Sequence, residues 1–534
     1  MPDLDSMDFR DKLLYLREEA CSQSRPYHDR ITREWLIYEN RGYEAYGQVN
    51  RVGGFEAEVS RSMAPKITEA INRMIPIYRS QMPGIEVVAD EWSGVWDDVE
   101  YVSILKEWAA MMDEVGGESE TLGLLTKSNL VTGNALSKVA WNKDYQIAWA
   151  PFIDPRTFAP YPVTCRSDLM DAQYVVHTVR HDMNMKKFDY PKEVEHKKDW
   201  EGSKCVRVDE IWIRRRFAED WGMDVSDEPE CPMFMAKLVN DEVYEFGPTP
   251  FRYYPSFPFF AWRGFSGTCN DLFTTPFWGY GYASLFWETQ KLIDDVLNSL
   301  VEHSRNLATG QFFMKYGALD PQAQIKRRGQ GIMLNEGFGM DSIMPVPVSG
   351  IDPVIMQLLS VGMQESGVQM PSLNPVVGGE PPYPGSSGRA INSLQFAAYN
   401  QFSSEIAEMN AFRLRRERGK MEVMRQFAHR IEQPHLWRLG VDIWDDFPQE
   451  ARRVSYKLML PEEGALPNTP QGRYQLLLEI HQLGYTFKDP GIALKLLGIK
   501  NYGIVGEDLE QVSVSGPGGA NYAPRQENYE RDRG

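Results

Sequence analysis

The chain has 534 residues and is acidic, with 57 lysines and arginines against 75 aspartates and glutamates, which gives a formal net charge of −18. This length exceeds what a single hydrophobic core usually serves, so several domains are expected. Proteins that hold DNA by bulk attraction carry a basic excess. The charge therefore counts against a chain that wraps DNA, although an acidic chain can surround DNA without holding it.

The five cysteines and the N-terminus restrict the class further. The number of cysteines is odd and no pair has C-x-x-C spacing, which counts against a disulfide framework and a structural zinc site. The first residues, MPDLDSMDFRDKLL, are acidic and lack the apolar stretch of a signal peptide. The sequence contains no run of about 18 or more apolar residues, so no membrane span is predicted. We therefore expect reduced thiols in a protein assembled in a cytoplasm.

Helices are predicted in about the first hundred residues. Residues 10–42 mix charged and apolar side chains, and residues 102–112 form an amphipathic pattern. Within residues 64–90, apolar side chains recur at three- and four-residue intervals and predict one helical face: Ile67, Ile71, Met74, Ile75 and Tyr78. That helix should end near Pro83, after which IEVVAD predicts a strand.

From Gly133 the apolar pattern changes to period two. GNALSKVAWNKDYQIAWAPFIDPRTFAPYP predicts a hairpin followed by a rigid proline-rich crossing. AQYVVHTVRHDM and VRVDEIWIRRRFAED predict two more strands, and residues 232–263 also favour strand. The middle of the chain is therefore predicted to be an α+β region with antiparallel hairpins.

The pattern returns to helix at residues 276–310, where the helical part would span roughly 40 Å. This predicted helix carries two neighbouring apolar stripes. One contains Leu285, Leu292, Val296 and Leu300, and the other contains Phe286, Ile293 and Leu297. Residues 353–368 predict a second, shorter helix. The glycine- and proline-dense residues 370–388 predict a long loop. The longest predicted helix, residues 389–433, follows directly, and the chain ends in a predicted disordered tail, residues 516–534.

Phosphate-binding motifs are mostly absent. A Walker A loop needs G-x-x-x-x-G-K-[ST], so that backbone amides surround the phosphates beside a lysine. The only Gly-Lys pair is Gly419-Lys420, which lies inside the long predicted helix and is followed by Met421. Gly279-x-Gly281 precedes a helix but lacks the third glycine of a dinucleotide fingerprint. We therefore predict no ATPase and no cofactor.

The sequence also gives little support for a hydrolytic site or a metal site. His177 and His181 lie in a predicted strand, where four residues span about 13 Å, so one ion could not bind both. Ser266 lacks the G-x-S-x-G frame of a nucleophile elbow. The sequence predicts no catalytic residue and no metal ligand, and the protein is expected not to be an enzyme.

Two basic clusters leave alternatives open. Residues 326–328, Lys326, Arg327 and Arg328, suit either a solvated turn or a contact with a polyanion or an acidic partner. A second cluster lies in the long helix and comprises Arg413, Arg415, Arg416 and Arg418. It predicts a salt-bridged helical surface, or in a ring a contact with an acidic neighbour.

The order of these elements, more than any one motif, resembles the portal protein family (the head-to-tail connectors) of tailed bacteriophages over about residues 60–510. MPGIEVVAD resembles the family's helix-then-strand opening, and GNALSKVAWN followed by PFIDPRTFAPYP resembles its glycine-led hairpin and Asp-Pro crossing. GYGYASLFWETQKLIDDVLNSLVE is similar to the start of the first stem helix, with Gly279, Gly281 and Gln290 at matching places. GSSGRAINSLQ resembles the turn that opens the helix after the tunnel loop.

The resemblance implies a predominantly helical α+β portal fold with wing, stem, clip, tunnel loop and crown, assembling as a ring. Its divisions would be an N-terminal α+β wing at 1–275, a first stem helix at 276–309, a clip at 310–352, a second stem helix at 353–369, a tunnel loop at 370–388, a long wing helix at 389–432, a crown at 433–515 and the tail at 516–534.

The family's function is implied in the same way. A ring, normally of twelve subunits, would occupy one capsid vertex of the virion and pass double-stranded DNA during packaging and ejection. Its partners would be the terminase large subunit, a head-to-tail adaptor protein, the major capsid protein and a scaffolding protein, with no membrane. The clip residues Lys326, Arg327 and Arg328 would meet the motor or the adaptor. The polar tunnel-loop residues facing DNA would be Ser372, Asn374, Glu380, Ser386 and Ser387.

Two other classes remain open from the sequence. One is another structural virion protein, such as a minor capsid or tail component. The other is a DNA-processing enzyme such as a terminase or a nuclease, which would need a phosphate loop or a carboxylate-metal cluster. A closed ring with a central hole would distinguish a portal from both.

Overall fold

A computed structural model of the chain describes its residues in the following ranges: 7–45, 51–52, 55–56, 65–80, 82, 84–89, 97–182, 197–198, 204–223, 225, 231–249, 251, 257–265, 276–309, 312–315, 343–345, 353, 356–357, 359–361, 402–427 and 456–460. All of them belong to the first of two compact units, Met1–Pro461. The second unit, Glu462–Gly534, lies outside the described residues. Within the described part, no helix has both the length and the apolarity that crossing a bilayer requires.

Helices and antiparallel strands alternate along the described chain. The helices are α1 (Phe9–Tyr38), α2 (Gly42–Ala45), α3 (Lys66–Ser80), α4 (Asp97–Val115), α5 (Glu118–Thr132), α6 (Arg215–Asp220), α7 (Tyr282–Thr309) and α8 (Ser403–Phe427), with a 3-10 turn at Pro155–Thr157. The strands up to the middle of the chain are β1 (Arg51–Val52), β2 (Phe55–Glu56), β3 (Glu86–Ala89), β4 (Asn134–Lys138), β5 (Ala140–Asn142), β6 (Ile147–Trp149), β7 (Phe152–Ile153), β8 (Phe158–Tyr161) and β9 (Tyr174–Asp182). The later strands are β10 (Lys197–Lys198), β11 (Lys204–Arg214), β12 (Met233–Val239), β13 (Glu242–Pro248), β14 (Phe259–Arg263), β15 (Phe312–Met314), β16 (Ile343–Pro345) and β17 (Tyr456–Met459).

Helix α1 begins where the Asp8 carboxylate accepts a hydrogen bond from the Phe9 backbone N–H at 2.8 Å, as an N-cap does. Its first half buries Leu13 and Leu16 against the largest sheet. Its second half buries Ile31 in the main core of the chain. Helix α1 therefore packs on two separate apolar clusters, one along each half. Burial along both halves stabilises its whole length.

Helix α3 confirms the predicted apolar face, because four of its side chains are almost completely buried: Ile67, Ile71, Met74 and Tyr78. The predicted strand after it is also confirmed as β3. β3 pairs antiparallel with β17. Residues 456–459, in the range predicted as crown, thus share a two-stranded sheet with residues 86–89, in the range predicted as wing.

The largest sheet has the strand order β13-β12-β11-β9-β8, with β10 paired to one end of β11. All of its pairings are antiparallel. The strands predicted around His177 and Val206 are confirmed as β9 and β11, but the second prediction is wrong at its end, where residues 215–220 form helix α6. A second, three-stranded sheet runs β14-β4-β7, and β5 and β6 form the predicted hairpin.

Helix α5 was not predicted from the sequence. Its buried residues include polar ones, Thr126, Ser128, Asn129 and Thr132, so apolar side chains alone do not mark its buried face. These polar groups are satisfied locally: Ser128 Oγ donates to the carbonyl of Asn134 at 2.6 Å, and Thr126 Oγ1 donates to the carbonyl of Leu122 at 2.7 Å. The buried face of α5 is thus satisfied by hydrogen bonds to nearby backbone carbonyls, and it lacks the apolar stripe that usually identifies a buried helix.

Helices α1, α3, α5 and α7 contact one another around the main core, and α8 packs on β14, β5 and β6. Aromatic side chains fill this core, among them Trp108, Trp262 and Trp278. The described chain is thus mixed helix and sheet.

Candidate functional site

The residues predicted to contact DNA or a partner lie outside the described part of the chain. They are the clip residues Lys326, Arg327 and Arg328 and the tunnel-loop residues Ser372, Asn374, Glu380, Ser386 and Ser387. Their roles remain predictions. The structure does describe helix α7, which corresponds to the predicted first stem helix, and the residues that hold its base.

The base of α7 lies in a junction of glycines where backbones pack directly on one another. Gly133 ends α5 with a φ of +68°, and its carbonyl accepts the backbone N–H of Gly264 at 2.8 Å. A Cβ on Gly281 would lie 2.1 Å from the Val131 carbonyl oxygen, and one on Gly279 would lie 2.6 Å from the Gly133 carbonyl oxygen. Any side chain there would collide with backbone, so the G-x-G spacing is explained by packing without a bound nucleotide.

Asn134 locks this junction with its side-chain amide. The Gly279 backbone N–H donates to Asn134 Oδ1 at 2.8 Å, and Asn134 Nδ2 donates back to the Gly279 carbonyl at 3.2 Å. This two-way pairing resembles that of a neighbouring strand. It fixes the segment that enters α7 against the end of α5.

A buried carboxylate from α1 meets the first turn of α7. Glu34 is 1% exposed, and its Oε1 accepts hydrogen bonds from the Ser284 hydroxyl and lies 3.6 Å from Arg30 Nε. The Arg30 guanidinium also donates to the Gly279 carbonyl and lies 4.0 Å from the centre of the Tyr280 ring. A carboxylate at a helix N-terminus interacts favourably with the helix dipole.

Burial has the largest effect on the pKa of Glu34. It raises the pKa of the carboxyl to about 7, although Arg30 and the hydrogen bonds from Ser284 and the Gly281 backbone act to lower it. Oε2 of Glu34 has no hydrogen-bond partner within the described part. The base of α7 thus contains a carboxylate that is only partly compensated.

The two predicted stripes of α7 have different surroundings. Phe286 and Ile293 are buried in the body of the protein. Leu285 and Leu292, one heptad apart on the neighbouring stripe, are 49% and 47% exposed, and Val301 farther along is 41% exposed. An anchored helix that presents large apolar side chains to solvent has a surface suited to contact another protein chain.

Helix α8 is held by a buried arginine, which overturns one prediction. The predicted salt-bridged helical surface is wrong at Arg413, which is 9% exposed, and at Arg416, which is 1% exposed. The Arg416 guanidinium binds both carboxylate oxygens of Glu118 and donates to Ser137 Oγ at 3.0 Å and to the Ala150 carbonyl at 2.6 Å. Arg418, two residues on, is exposed as expected. The pattern of charges alone does not reveal that another layer covers the helix.

Three carboxylates beside Arg416 lie close enough to share a cation, with oxygen atoms within 4.8 Å of one another: Asp113, Glu118 and Glu417. The ammonium of Lys420 already lies among them, 2.6 Å from Asp113, 3.5 Å from Glu118 and 2.7 Å from Glu417. Burial would raise the pKa of Glu118, but Arg416 and Lys420 outweigh it and hold that pKa well below its usual range. The cluster is therefore an ion-pair network that ties α8 to α4 and α5.

His177, one of the two strand histidines, also has structural partners. His177 is buried on β9, with Nδ1 3.5 Å from Glu210 Oε2. Lys138 forms an ion pair with the same carboxylate, and Trp212 Nε1 donates to it at 3.3 Å. Burial opposes the ionised form of Glu210, but Lys138 and His177 lower the pKa of the carboxyl overall. These contacts join β4 to the largest sheet.

No family model matches the chain, and no curated protein matches it. Solved structures do resemble it. A chain from the neck of an empty GTA particle, computed with C6 symmetry, is 12% identical with a TM-score of 0.33, covering 83% of this chain and 92% of that one. A chain from the virion of a native gene transfer agent particle is 11% identical with a TM-score of 0.33, covering 81% of this chain and 90% of that one.

Proposed function

We propose that the chain is a portal protein, the subunit of a ring at one capsid vertex through which double-stranded DNA is packaged and ejected. The observation that carries the proposal is helix α7. It has 28 residues, which corresponds to about 42 Å, and its base is fixed in the glycine junction. Beyond that base it carries an exposed stripe with Leu285 and Leu292, which lie one heptad apart on the same face. These are the properties expected of a first stem helix that packs against copies of itself.

The ring would be held in part by that exposed stripe. One subunit leaves the stripe in water, whereas a neighbouring copy would cover it, and burial of apolar surface contributes about 25 cal/mol for each Å². Identical subunits joined by such an interface form a closed ring when repeating the rotation from one subunit to the next returns to the first subunit. The ring, normally of twelve subunits, would lie in the virion after assembly in the host cytoplasm.

The net charge of −18 supports a channel that lets DNA move. A basic channel would bind phosphates tightly and oppose sliding, because each neutralised phosphate adds affinity. The energy for packaging would come from a terminase large subunit docked on the clip. After packaging, a head-to-tail adaptor would take its place, while the major capsid protein and a scaffolding protein would surround the wing.

The test of the ring is electron microscopy of the purified full-length protein in negative stain, together with its mass by light scattering. We expect closed rings with a central hole. The double variant L285D/L292D should form few or no rings at micromolar concentration, because it places carboxylates in the apolar contact. L124D is the matched control, since Leu124 on α5 is 46% exposed and does not belong to α7.

Two results would contradict the proposal: a wild-type protein that stays monomeric across salt conditions, or rings that survive L285D/L292D as well as L124D. Particles without a central hole would favour a minor capsid or tail component. Magnesium-dependent ATP turnover or DNA cleavage by the pure protein, abolished by a point substitution within it, would favour a DNA-processing enzyme.

A further inference from the structure

Helix α7 emerges from the core partway along its length. Ile293 and Asp294 are 1% and 0% exposed, so one side of the helix is covered as far as these residues. After Asp294, none of the α7 side chains that the structure describes is buried. The second half of the helix is therefore accessible to another chain from more than one side.

The exposed apolar side chains of α7 lie on two opposite sides of the helix. Leu285 and Leu292 form one of them, which we call the leucine face. Val301 is 41% exposed and follows Leu292 by nine residues. Because each residue of an α-helix turns it by about 100°, Val301 lies roughly 180° around the helix from Leu292. We call the side around Val301, with Leu297 and Ser304, the valine face.

Two opposite apolar faces match the surroundings of a helix in a closed ring of helices. Such a helix has one neighbour on each side, and in a ring of about twelve the two neighbours lie about 150° apart as seen from it. The turn to Val301 is roughly 160° from Leu285 and roughly 180° from Leu292. A dimer about a twofold axis would cover only one of the two faces.

The charge on the leucine face opposes its pairing with itself. Glu288 lies between Leu285 and Leu292 along the helix and is exposed, and no described residue forms an ion pair with it. A twofold axis through the middle of this face would bring the Glu288 carboxylates of two copies together in an apolar contact, where like charges repel strongly. The described side chains of the valine face are uncharged. The leucine face is therefore better suited to a different surface than to its own copy.

We propose that α7 binds two neighbouring copies of this chain at once, one through the leucine face and the other through the valine face. This inference rests on the proposed ring and adds which side of α7 meets each neighbour. Every copy brings both faces to the assembly, so copies of the chain alone can cover both. Contact between unlike surfaces is head-to-tail and continues from copy to copy until the ring closes.

Variants that block one face each test the proposal by sedimentation velocity on the full-length protein, with a different fluorescent label on each variant. L285D/L292D blocks the leucine face, and V301D blocks the valine face. Each variant alone should stay monomeric at micromolar concentration, where the wild type forms rings. Their equimolar mixture should form a 1:1 dimer, because V301D keeps an intact leucine face, L285D/L292D keeps an intact valine face, and the remaining faces are blocked.

L124D is the matched control and should form rings as the wild type does, because Leu124 is exposed on α5. Dimers of V301D alone would show that two leucine faces pair with each other, and would overturn the proposal. A mixture that stays monomeric would overturn it too. Thermal unfolding checks that each variant is folded, and L285S/L292S with V301S give the same comparison if an aspartate variant is not.

The same measurements separate this inference from the proposed function. If the wild type forms rings with a central hole and V301D forms them as abundantly as L124D, the portal proposal stands and the inference is wrong. The valine face would then be left to another protein or to solvent. A wild type that forms no rings would overturn both.

Discussion

Arg416 makes contacts that only a buried arginine can make, and this leads to a clear expectation for its removal. In R416L the Glu118 carboxylate loses its two-point guanidinium contact and keeps the more distant Lys420 ammonium, at 3.5 Å, and the Ala150 carbonyl loses its guanidinium donor. Breaking a buried ion pair on one side costs about 3–5 kcal/mol of the free energy of unfolding. R418L is the control on the same helix and should change it by less than about 0.5 kcal/mol, because Arg418 is exposed.

Denaturant unfolding of both variants measures the difference. R416K should fall between them, because lysine keeps the charge but cannot bind both Glu118 oxygens and Ser137 together. A loss of stability that is as small in R416L as in R418L would show that the network is not needed for the fold.

Glu34 predicts a dependence of stability on pH. Its folded pKa of about 7 lies above its ordinary value of 4.5. Below pH 4.5 the group is protonated in both states and adds no cost. As the pH rises from 4.5 to 7 the unfolded chain ionises first, so the free energy of unfolding falls, and above pH 7 the cost is on the order of 3 kcal/mol.

The variant E34Q removes this titration and keeps a carbonyl acceptor for Ser284. We expect E34Q to be more stable than wild type above pH 7 and equally stable below pH 4.5 in thermal unfolding. E114Q is the control, because Glu114 is exposed on α4 and should give curves parallel to wild type at both extremes. A constant difference between E34Q and wild type across the pH range would contradict the assignment.

At the scale of elements, the junction between α5 and α7 gives opposite expectations for two glycines. In G281A the new methyl group would meet the Val131 carbonyl at 2.1 Å, and backbone cannot move away cheaply. We expect a loss of about 3 kcal/mol or more, or insoluble protein. Gly123 lies inside α5, and the nearest atom to the new methyl group in G123A is an Arg79 nitrogen at 4.0 Å. Alanine should therefore stabilise the helix by about 0.5–1 kcal/mol.

Thermal unfolding of the two variants, or the soluble yield of G281A, measures the contrast. If G281A were as stable as wild type, the close backbone packing that fixes the base of α7 would be refuted. The same result would remove the explanation of the Gly279-x-Gly281 spacing.

How well each element could be predicted depended on whether its buried apolar residues recur at a regular spacing along the sequence. α3 buries apolar side chains at the spacing of a helix, so sequence periodicity identified it. α5 buries hydroxyl and amide groups, and periodicity missed it. α7 was predicted from residue 276 but begins at Tyr282, because residues 276–280 run through the glycine junction, where a contact distant in sequence decides the backbone path.

The candidate site follows the same rule. The two stripes of α7 were visible in the sequence, but their different exposure depends on the tertiary fold, in which α1, α3 and α5 contact α7. The charges around Arg416 were visible too, whereas the partner Glu118 lies about three hundred residues away in sequence and could not be paired with it in advance. Local pattern predicts which residues share a face, and tertiary packing decides what that face meets.

At the scale of the whole molecule, the proposed portal predicts a role for residues 370–388, which lie outside the described residues. These 19 residues contain five prolines and four glycines, and Glu380 is their only charge. A segment of this composition does not form a packed element, and long loops in compact proteins usually serve a function. Placed in the channel, its neutral polar groups, such as Asn374 and Ser386, would touch phosphates weakly and allow sliding.

Deleting residues 374–384 should leave folding and ring formation intact while reducing the length or the retention of packaged DNA. The readouts are rings in negative stain, the size of DNA extracted from particles assembled with the variant, and the infectivity of those particles. E380Q is the control that keeps the loop and removes its charge, and it should package DNA normally because sliding does not depend on that carboxylate. Normal DNA length and infectivity after the deletion would mean that residues 370–388 are a linker, while loss of rings would mean that they support assembly.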